Sequence, residues 1–100
     1  MAFEVRLLSE AEDDLFEIYR YIADQGGSEL ADAHDRRIRA ACRKLAAFPR
    51  RGTPRDPLGP GLRSIPFERR ATIYYRVTEP LVEIVRILRR GLDMDREFGP

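Results

Sequence analysis

A chain of 100 residues, 43% hydrophobic, with 18 Lys and Arg against 17 Asp and Glu and a formal net charge of +1, has the size and composition of one ordinary globular domain. That balance argues against disorder, and no run approaches the roughly 20 consecutive apolar residues of a membrane span. The single cysteine, Cys42, rules out an internal disulfide and suits a reducing cytoplasm. Met1 to Glu10 lack the basic start and apolar stretch of a signal peptide, so the expectation is one cytoplasmic domain over residues 1–100.

Phe3 to Leu7 alternate apolar and polar, the period of a half-buried strand. Ser9 and Glu12 have capping-box spacing, with Glu10, Asp13 and Asp14 also crowding the first turn of a helix. Ala11, Leu15, Ile18 and Ile22 form its apolar stripe, and Gly26-Gly27 stops it. Ser28 opens a second helix with the stripe Ala31, His34, Ile38, Ala41, Leu45 and Phe48, ended by Pro49. A short glycine turn between two helices makes an antiparallel hairpin.

Pro49 to Gly61 carry Pro49, Pro54, Pro57 and Pro60, a density that neither helix nor ladder strand accepts, so this segment reads as a stiff surface crossing. Three strand-like runs follow. Leu62 to Pro66 is short. Ala71 to Val77 places Ile73, Tyr75 and Val77 on one face and Thr72, Tyr74 and Arg76 on the other. Val82 to Leu88 is nearly all apolar, as expected of a strand covered on both sides. Phe67 to Arg70 and Thr78 to Pro80 are turns. The predicted fold class is α+β in the order β-α-α-β-β-β, a helical hairpin on one face of a mainly antiparallel four-stranded sheet, with the other face left available.

The residues offer little for covalent chemistry. His34 and Cys42 do not have a zinc-motif spacing, and no glycine pattern cradles a phosphate, so neither metal nor cofactor is expected. His34 lies in an apolar stripe and reads as a packed histidine, and Cys42 as a small buried hydrophobe. The charge is unevenly spread. Met1 to Pro49 hold 7 basic and 10 acidic side chains, whereas Arg50 to Pro100 hold 11 and 7, and every cation of the second half is arginine. Arg63, Arg76, Arg86, Arg89 and Arg90 come from three successive strand segments beside Tyr74 and Tyr75, a combination suited to acidic protein segments or RNA. Arg86 interrupts an apolar strand, so it must reach solvent or pair with a carboxylate.

Five phrases stand in order along nearly the whole chain: Ala11-Glu12-Asp13-Asp14-Leu15 leading to Ile18-Tyr19-Arg20-Tyr21-Ile22-Ala23; Phe48-Pro49-Arg50-Arg51-Gly52; Gly61-Leu62-Arg63-Ser64; Ile73-Tyr74-Tyr75-Arg76-Val77; and Ile84-Val85-Arg86-Ile87-Leu88. In these phrases and in element order the chain resembles the ParE/RelE superfamily of type II toxins, and the ParE branch in particular. The resemblance implies a toxin neutralised by the C-terminal segment of a cognate, ParD-like antitoxin. ParE members inhibit DNA gyrase by binding, whereas RelE members cut messenger RNA on the ribosome. Thr72 stands where many nuclease members place an arginine, and Arg89 where others, many ParE members among them, place a histidine. Gly91 to Asp95 offer no tyrosine or lysine, and guanidinium is a poor proton shuttle.

A non-enzymatic gyrase inhibitor is therefore the first expectation. A ribosome-dependent endoribonuclease is the second, and a homologue that only binds its antitoxin the third. The expected partner-binding residues are Arg63, Tyr74, Arg76, Arg86, Arg89 and Arg90 on the sheet face and C-terminal segment. Tyr19 and Leu30 are expected on the helical hairpin as the antitoxin seat. Direct nucleic-acid binding is the less favoured mode.

Overall fold

The structure, a computed structural model, describes residues 3–91. The elements run β1 (Glu4–Leu7), α1 (Ser9–Gly26), α2 (Ser28–Arg43), β2 (Thr53–Pro54), β3 (Leu62–Phe67), β4 (Ala71–Thr78) and β5 (Leu81–Arg89), with 3₁₀ turns at Lys44–Ala46 and Asp56–Leu58. They form one sheet in the order β1-β5-β4-β3-β2, parallel between β1 and β5 and antiparallel elsewhere. The α+β class and the helical hairpin are as the sequence pattern implies. The sheet has five strands instead of four. The extra one is the two-residue β2, which pairs Thr53 with Ser64 and Pro54 with Arg63. A proline is tolerated there because β2 is an edge strand, where its missing N–H costs no ladder bond.

The capping box does not form. The strand passes into the helix without a break, Leu8 occupies the cap position, and the Glu12 N–H donates to the Leu8 carbonyl at 3.1 Å. Ser9 is thus already inside the first turn. At the other end Gly27, with φ of 96°, separates the helices alone and donates its N–H to the Ala23 carbonyl at 2.8 Å. A Cβ at Gly27 would meet nothing, so glycine is needed here for its backbone angle and not for space.

The main core lies between hairpin and sheet. Ala11, Leu15 and Ile18 of α1 and Ile38, Cys42 and Leu45 after them pack on Ile73, Tyr75, Val82, Ile84 and Ile87. Ile73, Tyr75 and Val77 share this face as expected. Phe48, placed on the α2 stripe by its spacing, is instead 70% exposed, because the helix gives way to a 3₁₀ turn at Lys44 and its stripe ends at Leu45. Burial pushes the Cys42 thiol up to about 12, so it stays protonated and inert.

The second face of the sheet is not simply left free. Leu62, Tyr74, Val85 and Leu88 form a smaller buried cluster there, against which Leu8 and Leu58 pack. The connector that reads as a surface crossing thus supplies part of that cover. A β-bulge shapes this side. Tyr74 pairs with Arg86 but Tyr75 with Ile84, which leaves Val85 as the extra residue and re-aims its neighbours.

Candidate partner-binding surfaces

The arginines grouped along the sheet by sequence are dispersed by the fold. Arg76 is exposed and shares the second face with Tyr74, as the strand period implies. Arg63 pairs in register with Tyr75, and its Nη1 donates to the backbone carbonyls of Arg50 (3.1 Å) and Gly52 (2.8 Å), holding the connector against β3. Arg86 makes a two-point ion pair with Asp14 of α1, at 2.7 and 2.9 Å, and both side chains are largely buried. Of the two outcomes open to Arg86, carboxylate pairing is the one realised. Arg89 lies over the Tyr21 ring at 4.5 Å, on the hairpin side. The Arg90 N–H closes the sheet end on the Arg70 carbonyl at 2.6 Å while its side chain is exposed. The expectation of one arginine face is therefore corrected: strand alternation and the bulge send these residues to different sides. The expected C-terminal contacts beyond Gly91 lie outside the described residues.

Two of the concave surfaces among the described residues bring helix side chains together with polar ones. The first, about 340 Å³, runs over the outer side of the hairpin between Leu15, Phe16 and Tyr19 of α1 and Asp35 and Arg39 of α2. Polar bridges tie the helices beneath it. The Tyr19 hydroxyl donates to Asp32 Oδ1 at 2.6 Å, and that bond holds the phenol above its ordinary pKa. Arg39 donates to Glu12 and to Asp35, each at 2.9 Å, which keeps its guanidinium firmly charged. Among these fixed groups Phe16 stands 63% exposed, and Leu30 nearer the turn 59% exposed. Large apolar side chains held out on a braced helical face suit a partner helix. Leu30 and Tyr19 stand out in the sequence. Phe16 does not, although it falls off the Ala11-Leu15-Ile18-Ile22 stripe and its exposure follows from that.

The second surface, about 290 Å³, opens where α1, α2, the β3–β4 turn and the end of β5 meet. Its apolar side is Ile18, Tyr21, Ile22 and His34; its polar side is Arg69, Arg70, Arg89 and Arg90. His34 is 4% exposed and packs edge-on against Phe67 with ring centroids 5.4 Å apart. Burial, reinforced by the Arg37 and Arg70 charges, lowers its pKa, so the imidazole is neutral. Glu68 and Arg69 adopt φ of 48° and 57°, unusual for residues with side chains. Arg37 of α2 holds Glu68 through two bonds of 2.8 and 3.0 Å, which fixes the turn that presents Arg69 and Arg70. Sequence reading sees a turn here but not the convergence of two turn arginines with two from a strand end 19 positions further on.

Comparison with known proteins agrees with this architecture. Residues 5–94 match the family described as the ParE toxin of type II toxin–antitoxin system, parDE. The chain is similar to Toxin ParE1 of Mycobacterium tuberculosis, 33% identical over 99 residues that cover 98% of this chain and 100% of that protein. It is also similar to Toxin ParE3 of Caulobacter vibrioides, 33% identical over 86% of this chain and 85% of the relative. Among solved structures, the chromosomal ParDE system of P. aeruginosa superposes with a TM-score of 0.78 at 26% identity, over 88% of this chain and 96% of that one. The RelBE2 toxin–antitoxin complex of M. tuberculosis gives 0.59 at 22% identity, over 90% and 100%, a likeness of fold.

Proposed function

The chain belongs to the ParE toxin family of type II toxin–antitoxin systems, and from that premise we propose that it arrests growth by binding DNA gyrase and is held inactive by a cognate ParD-like antitoxin. The observation that carries the antitoxin half of this reading is the outer groove of the hairpin. There Phe16 and Leu30 are exposed while Tyr19–Asp32 and Arg39–Glu12 keep the helices braced. An amphipathic antitoxin helix would bury Phe16 at its centre and leave the ion pairs at the rim, the usual arrangement of a tight interface. A ParDE system among the structural neighbours supports this choice of partner. The gyrase half rests on family membership and on exposed arginines and aromatics, such as Arg76, Arg90 and Tyr21, that suit recognition more than proton transfer.

The test is expression of the chain alone in bacteria, with pulse labelling of DNA and protein synthesis, and rescue by the adjacent antitoxin gene. DNA synthesis should fall first, with a damage response, and co-expression should restore growth. An immediate fall in protein synthesis would transfer the assignment to messenger RNA cleavage. Harmless expression would mean that only antitoxin binding is retained.

A further inference from the structure

The arginine-lined cavity at the end of β5 is separate from the hairpin groove, and its chemistry is specific. Arg69, Arg70, Arg89 and Arg90 converge on it, and none of the four has an ion-pair partner among the described residues. Like charges so gathered repel one another and are stabilised by an arriving anion. A second, independent feature points the same way. His34 lines the cavity, is 4% exposed, and its Nε2 has no hydrogen-bond partner among the described residues. A buried polar nitrogen left unpaired is costly, so a ligand that reaches it gains more than a surface contact would give. The Arg89 guanidinium is already placed over Tyr21, and the Glu68–Arg37 bonds fix the turn that carries Arg69 and Arg70. Arg89 therefore needs little further ordering when a ligand binds.

We propose that this cavity is a carboxylate-binding site that seats an acidic residue of a partner peptide together with an adjacent apolar side chain. The guanidiniums take the carboxylate and Ile18 and Ile22 take the apolar neighbour. The mixed lining favours an acidic-apolar dipeptide, which fills both sides, over a bare phosphate, which would leave Ile18 and Ile22 uncovered; a nucleic acid is the alternative that the oligonucleotide titration tests. In biological terms the inference rests on the antitoxin reading, and the charge of the lining calls for an antitoxin segment with an acidic residue beside an apolar one. The pocket chemistry is tested without it.

Because His34 is the sole histidine, its ring proton resonances report the cavity without ambiguity. The purified chain is titrated with an acetylated, amidated Leu-Glu-Asp-Leu peptide, with its Leu-Gln-Asn-Leu counterpart, and with an eight-nucleotide oligothymidylate, while the His34 signals are followed. The acidic peptide should shift them saturably, and the amide peptide should bind at least about tenfold more weakly, the loss expected when charge-assisted bonds become neutral ones. Arg69→Gln with Arg90→Gln, both exposed positions, should weaken the acidic peptide comparably while circular dichroism stays unchanged. Equal binding of the two peptides, indifference to the arginine substitutions, or a shift produced by the oligonucleotide and not by the acidic peptide would each overturn the assignment. A positive titration with no antitoxin bound in cells would separate failure of the antitoxin reading from failure of this one.

Discussion

Asp14 and Arg86, 72 positions apart, meet in a two-point ion pair at 2.7 and 2.9 Å, and Asp14 Oδ2 also accepts the Ile87 N–H at 2.8 Å. The second bond explains the first. β1 ends at Leu7, opposite Ile84, so among the described residues the edge of β5 beyond that point has no strand beside it. The N-terminal half of α1 takes over there, and its carboxylate supplies the acceptor that a strand would have supplied. One side chain therefore ties helix to sheet and keeps a largely buried cation paired.

Removing Asp14 should be costly for that reason. Asp14→Ala removes the carboxylate from Arg86 and the acceptor from the Ile87 N–H, and a broken buried pair typically destabilises by about 3–5 kcal/mol. Urea unfolding should show a lowered midpoint of that size, whereas Asp14→Leu with Arg86→Met together should recover much of the loss. Arg86→Ala alone should also destabilise the fold, so lost toxicity in that variant reports folding before it reports any partner contact.

Gly52 gives the connector a further anchor, and this too is testable. The buried Gly52 N–H donates to the Tyr75 hydroxyl at 2.8 Å. A Cβ at Gly52 would stand 2.6 Å from that oxygen and 2.9 Å from the Ser64 carbonyl oxygen. Tyr75→Phe should cost about 1–3 kcal/mol through the orphaned N–H. Gly52→Ala should also lower the unfolding midpoint, because the Ser64 backbone cannot move aside cheaply. A midpoint unchanged in both would contradict the anchoring role.

His34 gives the chain a pH dependence of definite sign. Burial is the main cause of its lowered pKa; Arg37 and Arg70 add to the lowering and Glu68 and Asp35 oppose it. The unfolded chain takes up a proton near pH 6.5 while the folded chain does not, so stability should fall as pH drops through and below about 6.5. Urea midpoints at pH 7.5 and 5.5 should differ in wild type and converge in His34→Gln. An unchanged slope in the variant would assign the effect to carboxylates.

At the hairpin groove Phe16→Asp should weaken capture of the antitoxin with little change in stability, since Phe16 is 63% exposed. A central aromatic contact is typically worth about 2 kcal/mol or more, a loss of at least roughly thirtyfold in affinity measured by titration calorimetry. Leu30→Asp, nearer the turn, should have a smaller effect in the same direction.

The fold was legible in the sequence wherever one period dominated. The Ala11-Leu15-Ile18-Ile22 stripe and the Ile73-Tyr75-Val77 alternation both reach the core as read. What escaped depended on register and on contacts between distant segments. β2 is two residues long and contains a proline, so it carries no period of its own. The capping box failed because Leu8 is already bonded to the Ile84 carbonyl, a tertiary tie that local spacing cannot register. At the site, Arg76 and Tyr74 share a face as alternation demands. The bulge at Val85 and the anchoring role of Arg63, by contrast, turn on partners outside their own strands. The arginine-lined cavity gathers side chains from four segments, and only their placement in space makes it a site.

The most direct measurement is a gyrase reaction reconstituted with the purified chain, scored for supercoiling and for cleaved DNA. Supercoiling should be lost and cleaved DNA should accumulate, both reversed by stoichiometric antitoxin. Unimpaired gyrase at a large molar excess of a toxin that still arrests growth in cells would contradict it.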